Sequence, residues 1–343
     1  MQQKLRVGVI SCSPMARSHM RAVARHPGAI LQAVCDIDRA RMDEAADELA
    51  VPHRFENYRQ MLAAGLLDAV IIVTPDQLHR EMTLAALDAG LHVLCEKPMA
   101  LTLDDCRAMV RADDASDKKV MIGQICRYTP GFAAAKALID CGEIGKLFFV
   151  ESEYAHDYAH MEPHWRMDPL RHGFLGGGCH AVDLLRWVAG DPTEVMAYAN
   201  HTMLPNWPTD DCTVAIMKFP QNVIGKVFVS TGCKRGYTMR SAFYGSRGTI
   251  ITDNTNPQMR VFKTGMGDPL LAELGDSCAA PVLYPVALAD HNTEGEFNEF
   301  ADAILNDAPV RTTTREGAGT VAACLAAIQS AKSGVPVRPS YDF

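Results

Sequence analysis

The sequence predicts an α/β protein of two domains, the first built on a parallel β-sheet with helices on both faces. Three observations carry this expectation. Over the first 124 residues, short apolar runs alternate with helix-period stretches across brief turns, the signature of repeated βα units. The first apolar run turns directly into a helix. The chain, at 343 residues, is also too long for one ordinary core.

The elements follow in order. LRVGVI, residues 5–10, reads as a buried strand, and Met15 to Arg25 as a helix. AILQAVCDID (29–38) is the second strand, followed by a charged helix from Arg39 to Leu49. DAVIIVT (68–74) is a third strand, fully apolar at its centre. Arg80 to Ala89 is a helix with Gly90 placed as its C-terminal cap. HVLCEKP (92–98) is the next strand and its exit, Leu103 to Ala112 a helix, and VMIGQI (120–125) a strand. Right-handed crossovers would bring the strand ends, and any ligand, to one edge of this sheet.

The first strand-to-helix turn is where a dinucleotide fold carries G-x-G-x-x-G or G-x-G-x-x-A. Here it reads Ser11-Cys12-Ser13-Pro14-Met15-Ala16, with serine at both early glycine positions. Serine is small, and its hydroxyl can donate to a phosphate oxygen. Ser13-Pro14 also suits a helix cap followed by proline at the first helical position. The helix's positive end would then face the ligand. Pro14 lacks an N–H, so one phosphate donor is lost. Asp36, about 20 residues beyond the loop, is placed to take the ribose hydroxyls. Its charge would repel a 2′-phosphate, so NAD is favoured over NADP. A plain turn at Asp36 and Asp38 is the alternative.

Composition excludes several classes of function. The chain is 48% apolar and 22% charged, without an apolar run long enough to span a bilayer. Its net charge of −8 argues against nucleic acid as a partner. The start lacks the segments of a secretory signal. Eleven scattered cysteines without a CxxC pair point to reduced thiols in a cytoplasm.

A more specific signal lies in VTPDQLHREMTLAALDAGLHVLCEKPMA, residues 73–100. The block resembles the Gfo/Idh/MocA family of sugar and polyol oxidoreductases. Thr74-Pro75-Asp76-Gln77-Leu78-His79 is similar to that family's TP-N-x-x-H segment, with Asp76 for Asn. Glu96-Lys97-Pro98 matches its EKP motif. Arg127-Tyr128-Thr129-Pro130, CGEIGKLFFVESEY, HWRMDP and GGGCHAVDLLRW extend the resemblance over nearly the whole chain, to the closing GVPVRP. It implies a Rossmann dinucleotide-binding domain over residues 1–124. It also implies an α+β domain over 125–343 with a large, mostly antiparallel sheet that binds substrate and forms homodimers or homotetramers. The short β-rich segments KLFFVESEY, EVMAYANH, CTVAIMKF, GKVFVSTG, SAFYG and TIITD agree.

The resemblance further implies NAD-dependent hydride transfer at a secondary CH–OH of a sugar, polyol or glycoside, with Lys97 and His180 handling the proton. Cofactor contacts fall on Ser11, Ser13, Met15, Ala16, Asp36, Thr74, Pro75, His79, Glu96 and Lys97. Independently, Lys97 follows a buried strand at the ligand edge, pinned by Pro98, where burial beside a cationic ring would lower its pKa. Asp183, three residues after His180, shares its helix face and could orient the imidazole. One departure stands out: the aspartate that the family places four residues before the histidine is Gly176 here.

Arg127, Tyr128, His156, Trp165, Arg166 and Asp183 are candidate substrate contacts, with Tyr154 and Tyr158 offering ring faces. His156, His160 and His164, with Asp157 and Glu162 between them, have a spacing that would suit a metal on a helix. Pro163 interrupts that helix, and no metal is expected. His201, Asp210, Asp211 and His291 either reach the same pocket or belong to turns and loops. Two other functions stay open at this point. One is a redox-neutral enzyme that recycles its NAD while cleaving a glycoside or eliminating through a transient keto sugar. The other is a cofactor-poor sugar-binding or regulatory protein on the same fold.

Overall fold

The computed structural model describes residues 4–161, 164–263, 281–289 and 291–343, the side chain of His164 excepted. The chain divides into two compact units. The first runs to Ile125 and also takes in Asn292–Val321 and Tyr341–Phe343; the second comprises Cys126–His291 and Ala322–Ser340. The division is therefore not a single cut after residue 124.

The first unit holds a six-stranded sheet of β1 (Leu5–Ile10), β2 (Ala29–Cys35), β3 (His53–Phe55), β4 (Ala69–Ile72), β5 (His92–Glu96) and β6 (Val120–Gly123). Its order is β3-β2-β1-β4-β5-β6 and every pair is parallel. The apolar runs are central because both faces are covered: all four residues of β4 are fully buried. Helices α1 (Pro14–Arg25), α2 (Arg39–Glu48), α3 (Tyr58–Ala63), α4 (His79–Asp88) and α5 (Leu103–Asp114) connect the strands. Ala16, His19, Met20 and Val23 line the buried stripe of α1 at i, i+3, i+4 and i+7. Polar caps start the helices: Ser13 for α1, Asp38 for α2 and Thr102 for α5 each accept a backbone N–H of the first turn. Gly90, at φ +73°, follows α4 where the left-handed cap was expected.

Two short elements, β3 and α3, were not expected; at three and six residues they are too short to show periodicity. The second strand is also shorter than its apolar run suggests. It stops at Cys35, and Asp36 turns back to accept the Cys12 and Asp38 N–H groups.

The second unit contains α6 (Pro130–Asp140), a four-residue turn of helix α7 (Gly173–Gly176) and α8 (Cys179–Ala189). Its sheet is built from β7 (Leu147–Ala155), β8 (Glu194–Asn200), β9 (Cys212–Lys218), β10 (Ile224–Ser230), β11 (Thr238–Gly245), β12 (Gly248–Asp253), β13 (Gln258–Lys263) and β14 (Val282–Pro285). The order is β14-β13-β12-β11-β7-β10-β9-β8, antiparallel except between β7 and β10. Helix α8 packs on β7 and β10, and α6 on β12 and β13. Along β9, Val214 and Ile216 alternate out of the core and remain partly exposed, as do Phe148, Tyr198 and Ile224 on neighbouring strands.

Two later helices complete the chain. α9 (Thr293–Leu305) lies against α1, burying Phe297 and Phe300 completely. In α10 (Thr314–Ser333), residues up to Val321 belong to the first unit and the rest to the second. Among the described residues, no helix is long and apolar enough to cross a membrane.

Candidate active site

The β1–α1 turn keeps a glycine's conformation without the glycine. Ser11 sits at φ +98°, in the region that L-residues avoid. Its backbone N–H donates to the Cys35 carbonyl at 2.7 Å, and its Oγ accepts the Ser13 N–H at 3.1 Å. Ser13 in turn caps α1 through the Ala16 N–H at 3.4 Å, and Pro14 occupies the first helical position. Ala16 is completely buried, so the position admits only a small residue. A left-handed turn leading into a capped helix start is the cradle that a pyrophosphate uses. A nicotinamide dinucleotide therefore fits this loop, despite both serines.

Asp36 is more heavily engaged than the sequence suggested. Its carboxylate accepts Cys12 N–H at 2.6 Å, Asp38 N–H at 2.9 Å, and both Nε and Nη2 of Arg41 at 3.1 and 2.7 Å. Burial works against its charge, but Arg41 and the two amides outweigh burial and hold the carboxyl below its ordinary range. Four donors fill about the four acceptor sites a carboxylate has. A ribose diol at Asp36 must therefore displace Arg41, whose side chain is 42% exposed and can swing away. The spacing signal that found Asp36 carried no hint of Arg41. Beside the turn lies a cavity of about 570 Å³, lined by Cys12, Pro14, Arg17, Arg21 and Arg41 among others.

At the ends of β4 and β5 the expected residues take two different stations. Thr74, Pro75, Met15 and Lys97 are half-buried. His79 is fully buried, and both of its ring nitrogens face carbonyl oxygens: Nδ1 to Pro98 at 2.9 Å, Nε2 to Thr74 at 3.0 Å. Only a doubly protonated ring can donate to both. Burial disfavours that cation, but Cys95, Asp76 and the Pro98 carbonyl raise its pKa to about 10. His79 thus braces the segments around Thr74 and Pro98 from beneath. Glu96 also turns inward. It is 6% exposed, accepts the Lys97 N–H at 3.0 Å and meets His19 Nε2 at 2.9 Å.

In the second unit, His180 stands in the first turn of α8, 3% exposed. The Tyr154 ring stacks on it with centroids 6.3 Å apart, and His291 lies 5.8 Å away. The Tyr154 hydroxyl sits between the Tyr158 hydroxyl at 2.9 Å and His156 Nδ1 at 3.2 Å. Tyr237 closes the group, 5.6 Å from Tyr154 and 5.3 Å from His291. Burial, then Tyr158 alongside, push the Tyr154 phenol well above its ordinary pKa, so it is a neutral donor. Tyr237 comes from a segment without a motif, and only the fold brings it here.

Arg127 and Asp183, expected as substrate contacts, engage each other. They form a bidentate pair at 2.8 and 2.7 Å, both side chains 2% exposed or less. Both Asp183 oxygens thus accept from a guanidinium. Tyr128 is likewise buried. Where an aspartate was expected, Gly176 leaves room for a cation: a Cβ there would lie 2.4 Å from Arg171 Nη1. The Arg171 guanidinium is held over the Trp165 ring at 4.5 Å, with Arg166 over the same ring at 4.4 Å. Gly177 and Gly178 are needed for close approach, their Cβ positions being 2.5 Å from the Tyr154 ring and the Phe174 carbonyl.

Of the residues left between pocket and turn, Asp210 Oδ2 lies 3.4 Å from His172 Nε2, and Asp211 and His201 are tied into one turn. Asp211 accepts the N–H groups of Thr202, Met203 and Leu204, and His201 Nε2 donates to the Leu204 carbonyl. Residues 158–160 and 164–167 form two separate 3-10 turns rather than one helix. Glu162, Pro163 and the His164 side chain lie outside the described residues. Among those described, the one His/Cys/Asp/Glu group close enough to share an ion is His19, Glu96 and Glu296.

A parallel sheet with a pyrophosphate-type turn, followed by an α+β unit presenting a buried histidine, defines a two-unit nucleotide-dependent oxidoreductase. Residues 5–124 match the family model described as an oxidoreductase family with an NAD-binding Rossmann fold, and residues 132–251 match the GFO/IDH/MocA C-terminal domain. The chain belongs to the GFO/IDH/MocA oxidoreductase family. It is 27% identical to an inositol 2-dehydrogenase of Salmonella agona over 257 residues, covering 71% of this chain and 72% of that one. It is 28% identical to a 1,5-anhydro-D-fructose reductase of Ensifer adhaerens, covering 96% and 97%. A levoglucosan dehydrogenase solved with NADH and levoglucosan shares the fold, with a TM-score of 0.90, 22% identity, and 99% and 100% coverage.

Proposed function

We propose that this chain is an NAD-dependent dehydrogenase that oxidises a secondary alcohol of a sugar, polyol or glycoside, with Lys97 and His180 handling the hydroxyl proton. NAD supplies the hydride acceptor when bound. The observation that carries the reading is Ser11, whose left-handed backbone preserves the phosphate turn in front of α1. Ser11, Ser13 and the start of α1 would hold the pyrophosphate, Asp36 the ribose, and Thr74 and Pro75 the edge of the nicotinamide half.

Lys97 supports a proton-handling role through its station: half-buried, at the end of β5, its peptide fixed by the Glu96 carboxylate. His180 is supported by the hydroxyl- and imidazole-bearing rings around it, which can pass a proton and present faces to a sugar ring. The partly exposed apolar residues on the second unit's sheet support assembly as a homodimer or homotetramer. The scattered cysteines support a cytoplasmic setting.

The test pairs binding with turnover. Lys97→Ala is expected to lower kcat about a hundredfold or more, while the Kd for NADH, read by fluorescence titration, moves by no more than about twofold. Unchanged turnover of a sugar or polyol panel in that variant would remove Lys97 from the reaction. A wild-type protein that binds no nicotinamide cofactor at all would remove the dehydrogenase reading.

A further inference from the structure

Three ionisable side chains meet in the interior of the first unit, from three elements. His19 comes from α1, Glu96 from the end of β5 and Glu296 from α9; they are 0%, 6% and 0% exposed. One ligand-capable atom from each lies within 4.8 Å of the others. Glu96 is well provided for, with His19 Nε2 at 2.9 Å and the Lys97 N–H at 3.0 Å. Glu296 is not: both of its carboxyl oxygens are buried without a hydrogen-bond partner, as is His19 Nδ1. The charged groups bearing on Glu296 are Glu96, Glu299 of its own helix and Lys97.

Two carboxylates this close cannot both stay ionised in a dry interior that offers one imidazole between them. Either a proton or a cation must make up the difference. A proton suffices, and it makes Glu296 a donor in a group where its oxygens and His19 Nδ1 otherwise have no hydrogen-bond partner. We propose that Glu296 is held as a neutral carboxylic acid that shares its proton with the His19–Glu96 pair, and so acts as a positioning residue for Glu96 and, through it, for the Lys97 peptide.

Burial, then Glu96 and Glu299, raise the Glu296 pKa well above the ordinary value, with Lys97 opposing; for Glu96, burial is outweighed by His19 and Lys97, which bring it down to about 2. The two acids are thus driven apart, as in a pair that shares one proton. The neutral-acid half stands on the burial of Glu296 and the closeness of the two carboxyls. The positioning half rests on the role proposed for Lys97.

The signs give a stability test. Above the ordinary glutamate pKa, the unfolded chain has lost the Glu296 proton while the folded protein keeps it. Folding stability then falls as pH rises, by one tenfold change in the unfolding constant per pH unit. His79 adds a slope of the same sign, so the quantity to read is the difference between wild type and Glu296→Gln. That variant keeps a donor but cannot titrate. It is expected to remove one tenfold step per unit at neutral and alkaline pH. It is also expected to remove an infrared C=O band of a neutral carboxylic acid from the folded protein, and to keep kcat and KM within about twofold. Glu296→Leu, which has no donor, is expected to lower kcat about tenfold or more with NADH affinity unchanged.

A wild-type spectrum without a neutral-acid band, or an unchanged pH slope in Glu296→Gln, overturns the shared proton. Stoichiometric divalent metal in the purified protein overturns it in favour of a cation. Should Glu296→Leu fail to fold, Glu296→Ala with the same readouts takes its place. Full kcat in a folded donor-free variant, with the band still lost in Glu296→Gln, leaves the proton in place and overturns positioning alone. Failure of Lys97→Ala to affect turnover would instead strike the functional reading.

Discussion

A single backbone angle decides whether the first turn can serve a dinucleotide. Ser11 holds φ +98° although a β-carbon makes that conformation costly, by about 1–3 kcal/mol. Part of that cost is offset by its Oγ, which fastens the Ser13 N–H. The two contributions can be separated. Ser11→Ala removes the hydroxyl and keeps the strain, whereas Ser11→Gly removes both. Ser11→Gly is therefore expected to be more stable than Ser11→Ala by about 1 kcal/mol, read from urea midpoints at equal slope. Equal stability of the two variants would mean that the turn is not strained at this residue. The sequence spoke clearly at this scale where chemistry is local. Ser13-Pro14 announced a cap, and Glu96-Lys97-Pro98 announced a strand exit. It was silent about Arg41 on Asp36, because a salt bridge five residues along a turn leaves no pattern.

Elements set which of those residues can meet. Helix α8 carries both His180 and Asp183, and spacing suggested that Asp183 would serve the imidazole. The fold instead brings Arg127, 56 residues earlier, into a bidentate grip on Asp183. A buried carboxylate facing a buried guanidinium is matched, and deleting either partner takes two charge-assisted hydrogen bonds from the other. Arg127→Ala is expected to cost about 3–5 kcal/mol of folding stability, and the joint Arg127→Met, Asp183→Leu variant much less. A double-mutant cycle on thermal unfolding checks this, and a single-variant loss below about 1 kcal/mol would show the pair to be solvated. The same logic explains what was legible. The strands and helices of the first unit could be read because each is amphipathic or apolar along its own length. Of the ring cluster around His180, Tyr154 and His291 were legible as candidates, whereas Tyr237 was not, because its segment carries no motif. Nor did the sequence give any sign that the Arg171 guanidinium would lie where a side chain at position 176 would stand.

At the scale of the whole molecule, the first unit is not finished when its last strand ends. The sheet closes at β6, but Ile122 still donates its N–H to the carbonyl of Thr312, and Gly317 packs closely against Ile122 and Met99. Helix α9 covers α1 with Phe297 and Phe300, both completely buried. Periodicity cannot reveal such a return, since nothing in a helix near residue 300 says which sheet it will cover. Two buried phenylalanines are worth about 3–6 kcal/mol, a large share of the roughly 5–15 kcal/mol by which domains are stable. The same helix brings Glu296 to Glu96. A fragment of residues 1–125 is therefore expected to unfold without a cooperative transition, or to aggregate. The same fragment joined by a flexible linker to residues 292–321 should melt cooperatively and bind NADH. Calorimetry on the two fragments decides it: if the shorter fragment melts as sharply and as high as the longer one, the returning segment is an accessory and the first unit folds on its sheet alone.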